Sequence, residues 1–217
     1  MWDKINVYQY QQFAEALKET DPIEQNVKLI AILNNWTINQ VDQLSVERYI
    51  AEKEKLKFLS EEITGKPVRF IKVGKKRYRC IYDIRKIPAA RYIESKHFLG
   101  DYVGNLHKLA ASMVIPQKRF LFWFVNAKYD ASRHEEYSQD MLEAKISDVY
   151  QSVVFFYHVY RNWIEVSKVY LVRELSKEMT KDQAIEVVAN LISSMDGSIA
   201  PKLLPITKIA EFRKRMN

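Results

Sequence analysis

The sequence predicts an α+β fold, predominantly α-helical, in which a helical body carries a basic β-hairpin. Three observations predict it. Apolar residues recur at helical spacing over most of the 217 residues. Helix-start signals recur with them, at Asp21-Pro22, Thr37 with Gln40, Ser45, and Thr180 with Gln183. One stretch, Lys66 to Tyr82, breaks the helical pattern: two runs rich in β-branched and aromatic residues flank Gly74-Lys75-Lys76.

Taken in order, Val7, Tyr10, Phe13, Ala14 and Leu17 predict a first helix to Lys18. Asp21 caps a second, running to about Trp36, with Pro22 in its first turn and Ile23, Val27, Ile30, Ala31 and Leu33 inward. Thr37 and Gln40 start a short turn of helix. Ser45 caps a helix from Val46 to Ile63 whose apolar positions are Val46, Tyr49, Ile50, Leu56, Leu59 and Ile63, with Gly65 and Pro67 ending it. The hairpin spans about 68–82. Neither of its faces is cleanly apolar, and two strands alone are marginal. It must therefore pack on the helices, gain strands or dock on another chain.

Pro88 starts a helix from Ala89 to Phe98, and Asp101 starts another that ends before Pro116. Phe120 to Val125, Phe-Leu-Phe-Trp-Phe-Val, reads as a buried strand, although periodicity alone leaves a helix open. Ser132 and Glu135 begin a helix through Leu142. A long helix follows from Ile146 to Lys177, apolar well beyond one stripe, which places it in the core or at an interface. Thr180 and Gln183 start the last helix before Gly197, and a basic segment closes the chain over 201–217. One α-rich domain over 1–217 accounts for this, with a soft boundary near 88 or 116.

The net charge of +7 invites an anionic partner, or serves solubility. The single cysteine, Cys80, excludes an intrachain disulfide and reads as a buried, inert thiol. The first residues are polar, without an apolar signal core, and no stretch is long and apolar enough to predict a transmembrane helix. The four histidines lack the spacing of a zinc protease, and only His97 and His107 fall on adjacent predicted helices where they can meet. Gly74-Lys75-Lys76 has neither the spacing nor the context of a phosphate loop, and no Gly-x-Ser-x-Gly elbow exists. The sequence therefore predicts no enzyme, no cofactor and no metal.

What remains are surfaces. Lys72, Lys75, Lys76, Arg77 and Arg79 are positive points and Tyr78 is a stacking platform, which suits phosphate contacts. The same residues suit docking on an acidic protein surface by steering and strand pairing. They also suit an edge hairpin kept soluble by its lysines. On the long helix, Tyr160 and Tyr170 are candidates for a protein interface.

Phe70-Ile71-Lys72-Val73-Gly74-Lys75-Lys76-Arg77-Tyr78 is followed by Ile84-Arg85-Lys86-Ile87-Pro88-Ala89-Ala90-Arg91-Tyr92-Ile93. This order resembles accessory proteins of tailed bacteriophages. Asn105-Leu106-His107-Lys108-Leu109-Ala110 and the stretch Lys128 to Glu136 are similar to the tail-assembly chaperone-like group. The likeness covers roughly residues 45–160; the N-terminal helices and the basic tail have no counterpart in it. It implies a non-enzymatic virion structural or tail-assembly protein, either a transient chaperone or a virion component. Its partners would be other virion or assembly proteins, with homo-oligomers open and no membrane. Its place would be the host cytoplasm during assembly or the virion itself. The alternative from the residues is a nucleic-acid-binding protein using the basic hairpin.

Overall fold

Residues 1–83, 98, 101–128 and 130–195 are described by the structure, a computed structural model. Among them the chain forms eight α-helices and one four-stranded antiparallel sheet, so it is α+β and predominantly helical. The helices are α1 (Val7–Ala16), α2 (Pro22–Asn34), α3 (Ile38–Asp42), α4 (Val46–Lys55), α5 (Leu106–Met113), α6 (His134–Leu142), α7 (Ile146–Leu175) and α8 (Lys181–Met195). The strands are β1 (Phe70–Val73), β2 (Lys76–Cys80), β3 (Val114–Phe120) and β4 (Trp123–Asn126), in the order β1-β2-β3-β4. The expected helix over 89–98 and the basic segment 201–217 lie outside the described residues.

Capping sets the helix starts. Asn6 Oδ1 accepts from the Gln9 backbone N–H at 2.8 Å, and Gln9 Oε1 accepts in return from Asn6 N–H, a capping box on α1. Asp21 accepts from the N–H groups of Ile23 and Glu24 at 2.7 and 3.3 Å. Thr37 with Gln40 forms the second box, and Ser45 accepts from Arg48 N–H. Each such cap is worth about 1 kcal/mol. α2 stops at Asn34, two residues before the sequence predicts, because Asn35 adopts a left-handed conformation (φ 53°).

Three expectations are corrected here. The Ser45 helix does not reach Ile63: it tightens into a 3-10 turn over Leu56–Ser60. Its inward face is Tyr49, Glu52 and Leu56, spaced three and four apart, so Val46 and Ile50 face solvent. Glu52 is buried there and accepts from Asn34 Nδ2 at 3.1 Å and Lys55 Nζ at 2.6 Å; these bonds hold its carboxyl below the usual range. Ile23 is likewise exposed, since the buried stretch of α2 lies further along, at Leu29, Ile30 and Ala31.

The core gathers α1, α2, the Leu56–Ser60 turn, α5, α6 and the first half of α7. The N-terminus is stitched to the α6–α7 junction: Val7 N–H donates to Ala144 O at 3.0 Å, and Ile146 N–H donates to Ile5 O at 2.9 Å. Trp2 packs edge-on against Phe58 at 4.8 Å and donates its indole N–H to Glu61 O at 3.1 Å. The long helix divides. Ile146, Val149, Val153, Phe156 and Tyr157 are buried, whereas Val166, Val169 and Tyr170 are exposed. Its distal half meets α8 in a small second cluster around Val188.

His107, on α5, shows how tightly this core constrains charge. Desolvation pulls its ring down to about 4, with Lys108 adding to the effect and Glu135 opposing it. Gln11 Nε2, which only donates, lies 2.9 Å from Nδ1, so that ring nitrogen must stay unprotonated to accept. A lowered folded pKa gives stability that is present above the ordinary value of 6.5 and lost as pH falls through about 4. Thermal melts over that interval should fall with pH in the wild type and fall less steeply in His107→Gln.

Candidate protein-docking surface

The hairpin around Gly74 does not stand alone. Its two-residue turn, Gly74-Lys75, has positive φ at Gly74 only (53°), the type II′ pattern. The hairpin gains β3 and β4 and packs on the helices, two of the three outcomes open to it. Register then fixes which side chains share a face. Ile71 opposes Tyr78, and Tyr78 opposes Pro116; one step along, Lys72 opposes Arg77, Arg77 opposes Gln117, and Gln117 opposes Asn126. Pro116 lies within β3.

The first set forms the inner face. Ile71, Tyr78, Cys80 and Val114 are buried against α6 and α7. Tyr78 packs edge-on to Tyr137 at 6.1 Å, and its hydroxyl donates to the Asp140 carboxylate. Burial and that carboxylate push the phenol well above its ordinary range. Lys76 joins them from the rim, 2.7 Å from Asp140 Oδ2 and 3.5 Å from Glu136. Further along, Ser152 on α7 accepts from Val68 N–H at 3.2 Å, and Tyr82 stands edge-on to Phe155 at 5.0 Å. Cys80 is the buried thiol the sequence predicts, pushed by burial up to about 11.

The six hairpin candidates are thereby sorted. Tyr78 is only 2% exposed, so it is no stacking platform; it is the sheet's anchor on α6. Lys76 is committed to Asp140. Lys75 sits in the exposed turn, and Lys72, Arg77 and Arg79 point outward. Of the long-helix tyrosines, Tyr160 is half-buried beside Tyr157 at 6.5 Å and touches both apolar clusters, while Tyr170 is open to solvent.

The outward face holds a row across all four strands: Lys72, Arg77, Gln117 and Asn126. Rings from both edge strands converge on its centre. The Arg77 guanidinium lies 3.7 Å from the Phe70 ring centroid and 4.7 Å from that of Phe124. Gln117 Nε2 donates to Asn126 Oδ1 at 2.9 Å, which leaves Gln117 Oε1 and Arg77 Nε buried without a partner. Arg79 and Arg119 flank the row. Among the described residues, none of Lys72, Arg77, Arg79 and Arg119 meets a carboxylate.

The run Phe120 to Val125 is the largest correction. It is not a buried strand. It is the tip of the β3–β4 hairpin, with Phe120 opposing Trp123 across a two-residue turn. Leu121 is 71% exposed, Phe122 89% and Trp123 75%. Leu121 also carries a positive φ of 50°, a conformation that hairpin turns ordinarily assign to glycine or asparagine and that a branched side chain resists. Arg119 Nε donates to Leu121 O at 3.3 Å across the turn. The turn thus holds three large apolar side chains out in water, on a backbone conformation that costs energy. The sequence carries no glycine here to announce a turn, and a six-residue apolar run reads as interior.

Other chemistry is sparse. Among the described residues no three or more histidine, cysteine or carboxylate side chains are placed to hold a metal; His97 lies outside those residues. A groove of about 710 Å³ between α1 and α2 includes Tyr8, Lys28 and Trp36 in its lining. Its Lys28 is paired with Glu19, and it presents no nucleophile with a base. No described helix is long and apolar enough to cross a membrane. No family model, curated protein or solved structure matches the chain.

Proposed function

We propose that this chain is a non-enzymatic assembly protein that works by docking on other protein chains. The observation that carries the reading is the exposed Leu121–Val125 tip, held out on a strained turn at the edge of the sheet. Contiguous exposed apolar surface of this kind is typical of interaction sites. The exposed Val166, Val169 and Tyr170 on the distal half of α7 supply a second contact area. The resemblance of residues 45–160 to tailed-phage tail-assembly proteins gives the setting: virion or tail assembly, with other virion proteins or further copies of this chain as partners. On that reading the protein acts in the host cytoplasm during assembly or within the virion.

Size-exclusion chromatography with light scattering tests this on the full chain, alone and mixed with the products of adjacent genes. Self-association or a complex of defined stoichiometry is the expected result. A monomer that binds none of them would overturn the reading.

A second reading, nucleic-acid binding, draws on the outward Lys72, Arg77, Arg79 and Arg119. Against it, Tyr78, the hairpin tyrosine suited to base stacking, is buried, and Arg77 sits over the two phenyl rings of that face.

A further inference from the structure

Building on the docking reading, we infer that the outward face of the sheet is a carboxylate-binding surface. Its partner presents an acidic segment across Lys72, Arg77, Arg79 and Arg119, and Arg77 is the central anchor.

Charge complementarity is the first ground. Some cations are neutralised locally, such as Lys28 by Glu19, Lys55 by Glu52, Lys76 by Asp140 and Arg133 by Glu136. The outward face instead gathers four cations on three adjacent strands, with no described carboxylate paired to any of them. Such a cluster repels itself, and an anionic partner relieves the repulsion while guiding its own approach.

The geometry around Arg77 is the second ground. The Phe70 and Phe124 rings beside it confine the guanidinium and lower the entropy lost when it forms hydrogen bonds. Its Nε–H is buried without an acceptor inside the fold, so a partner would meet the terminal Nη groups of this half-buried side chain. Two N–H bonds from that end match a carboxylate.

The choice between two polyanions follows from the same contacts. A single-stranded nucleic acid gains much of its affinity by stacking bases on free aromatic faces. On the face itself Phe70 has Arg77 at 3.7 Å and Arg69 at 5.2 Å over its ring, and Phe124 shares Arg77; the free rings, Phe122 and Trp123, lie apart from that row, at the tip. The apolar tip beside this face also suits a protein segment that mixes acidic and apolar residues.

The test is fluorescence anisotropy on the full chain with a labelled peptide of about 12 residues alternating glutamate and leucine, the length of an extended docking segment. The comparison probes are the same peptide with glutamine for glutamate and an oligothymidylate of similar length. The glutamate peptide should bind at low salt and weaken as salt rises. The glutamine peptide and the Arg77→Gln variant should each lose at least about tenfold, as expected for a central arginine anchor. Arg77→Lys, which keeps the charge and loses the fork, should recover only part of that loss. Lys72→Gln/Arg79→Gln, which leaves the ring stack in place, should also weaken binding.

Equal binding of the glutamate and glutamine peptides would overturn the inference, as would tighter binding of oligothymidylate. If all probes fail while the chain still self-associates or binds a neighbouring gene product, the carboxylate assignment falls and the docking reading stands.

Discussion

Tyr78→Ala should lower the stability of the fold by about 3–5 kcal/mol, the cost of removing a fully buried aromatic side chain. For a chain of this size each kcal/mol moves the melting temperature by about 2–4 °C, so the midpoint should drop by roughly 10 °C. The substitution leaves a cavity facing Tyr137 and deprives the partly buried Asp140 of its hydroxyl donor. It also releases the sheet from α6. Tyr78→Phe separates these effects. It keeps the packing and loses only the hydrogen bond, which costs about 1–3 kcal/mol for a partly buried charged acceptor still held by Lys76. Differential scanning calorimetry of the three proteins gives the order wild type, Tyr78→Phe, Tyr78→Ala. The neighbouring Arg77→Gln should differ sharply from Tyr78→Ala, because Arg77 points to the opposite face.

The second large effect concerns association. Phe122→Ser and Trp123→Ser remove side chains that make little contact with the rest of the chain, so stability should stay within about 0.5 kcal/mol. If these residues anchor a partner, each truncation costs about 2–4 kcal/mol of binding, roughly 30- to 1000-fold in Kd. Titration by light scattering or calorimetry, against the partner or against the chain itself, measures that loss. A destabilised protein with unchanged association would invert the expected pattern.

These two predictions turn on residues whose roles the sequence reveals unequally. The alternation around Gly74 announces a hairpin, and the side chains at Asp21, Thr37 and Ser45 cap helices where local hydrogen bonding requires them. Such features depend on residues three or four positions apart. The faces of the hairpin are a different matter. Tyr78 loses its apparent role as a stacking platform once Asp140 and Tyr137, about sixty residues along, take up the inner side. Neither hydropathy nor spacing encodes that pairing.

The aromatic run at Phe120 to Val125 fails for another reason. Apolarity predicts burial only when something lies nearby to bury against, and β4 is an edge strand with all four residues exposed. Sequence patterns report which residues favour leaving water; they do not report a site where the fold leaves them in it. The first half of the long helix was legible because its stripe meets the core. Its second half was not, because Val166, Val169 and Tyr170 have the same character without a described neighbour to cover them.

Hydrogen–deuterium exchange on the full chain, alone and under the conditions of the association experiment, tests the proposed docking surface most directly. Protection should appear over residues 119–126, where the edge strand's outward backbone groups and the apolar tip become covered. Unchanged exchange there, with protection confined to the α1–α2 groove or to other helices, would contradict a docking surface on the sheet.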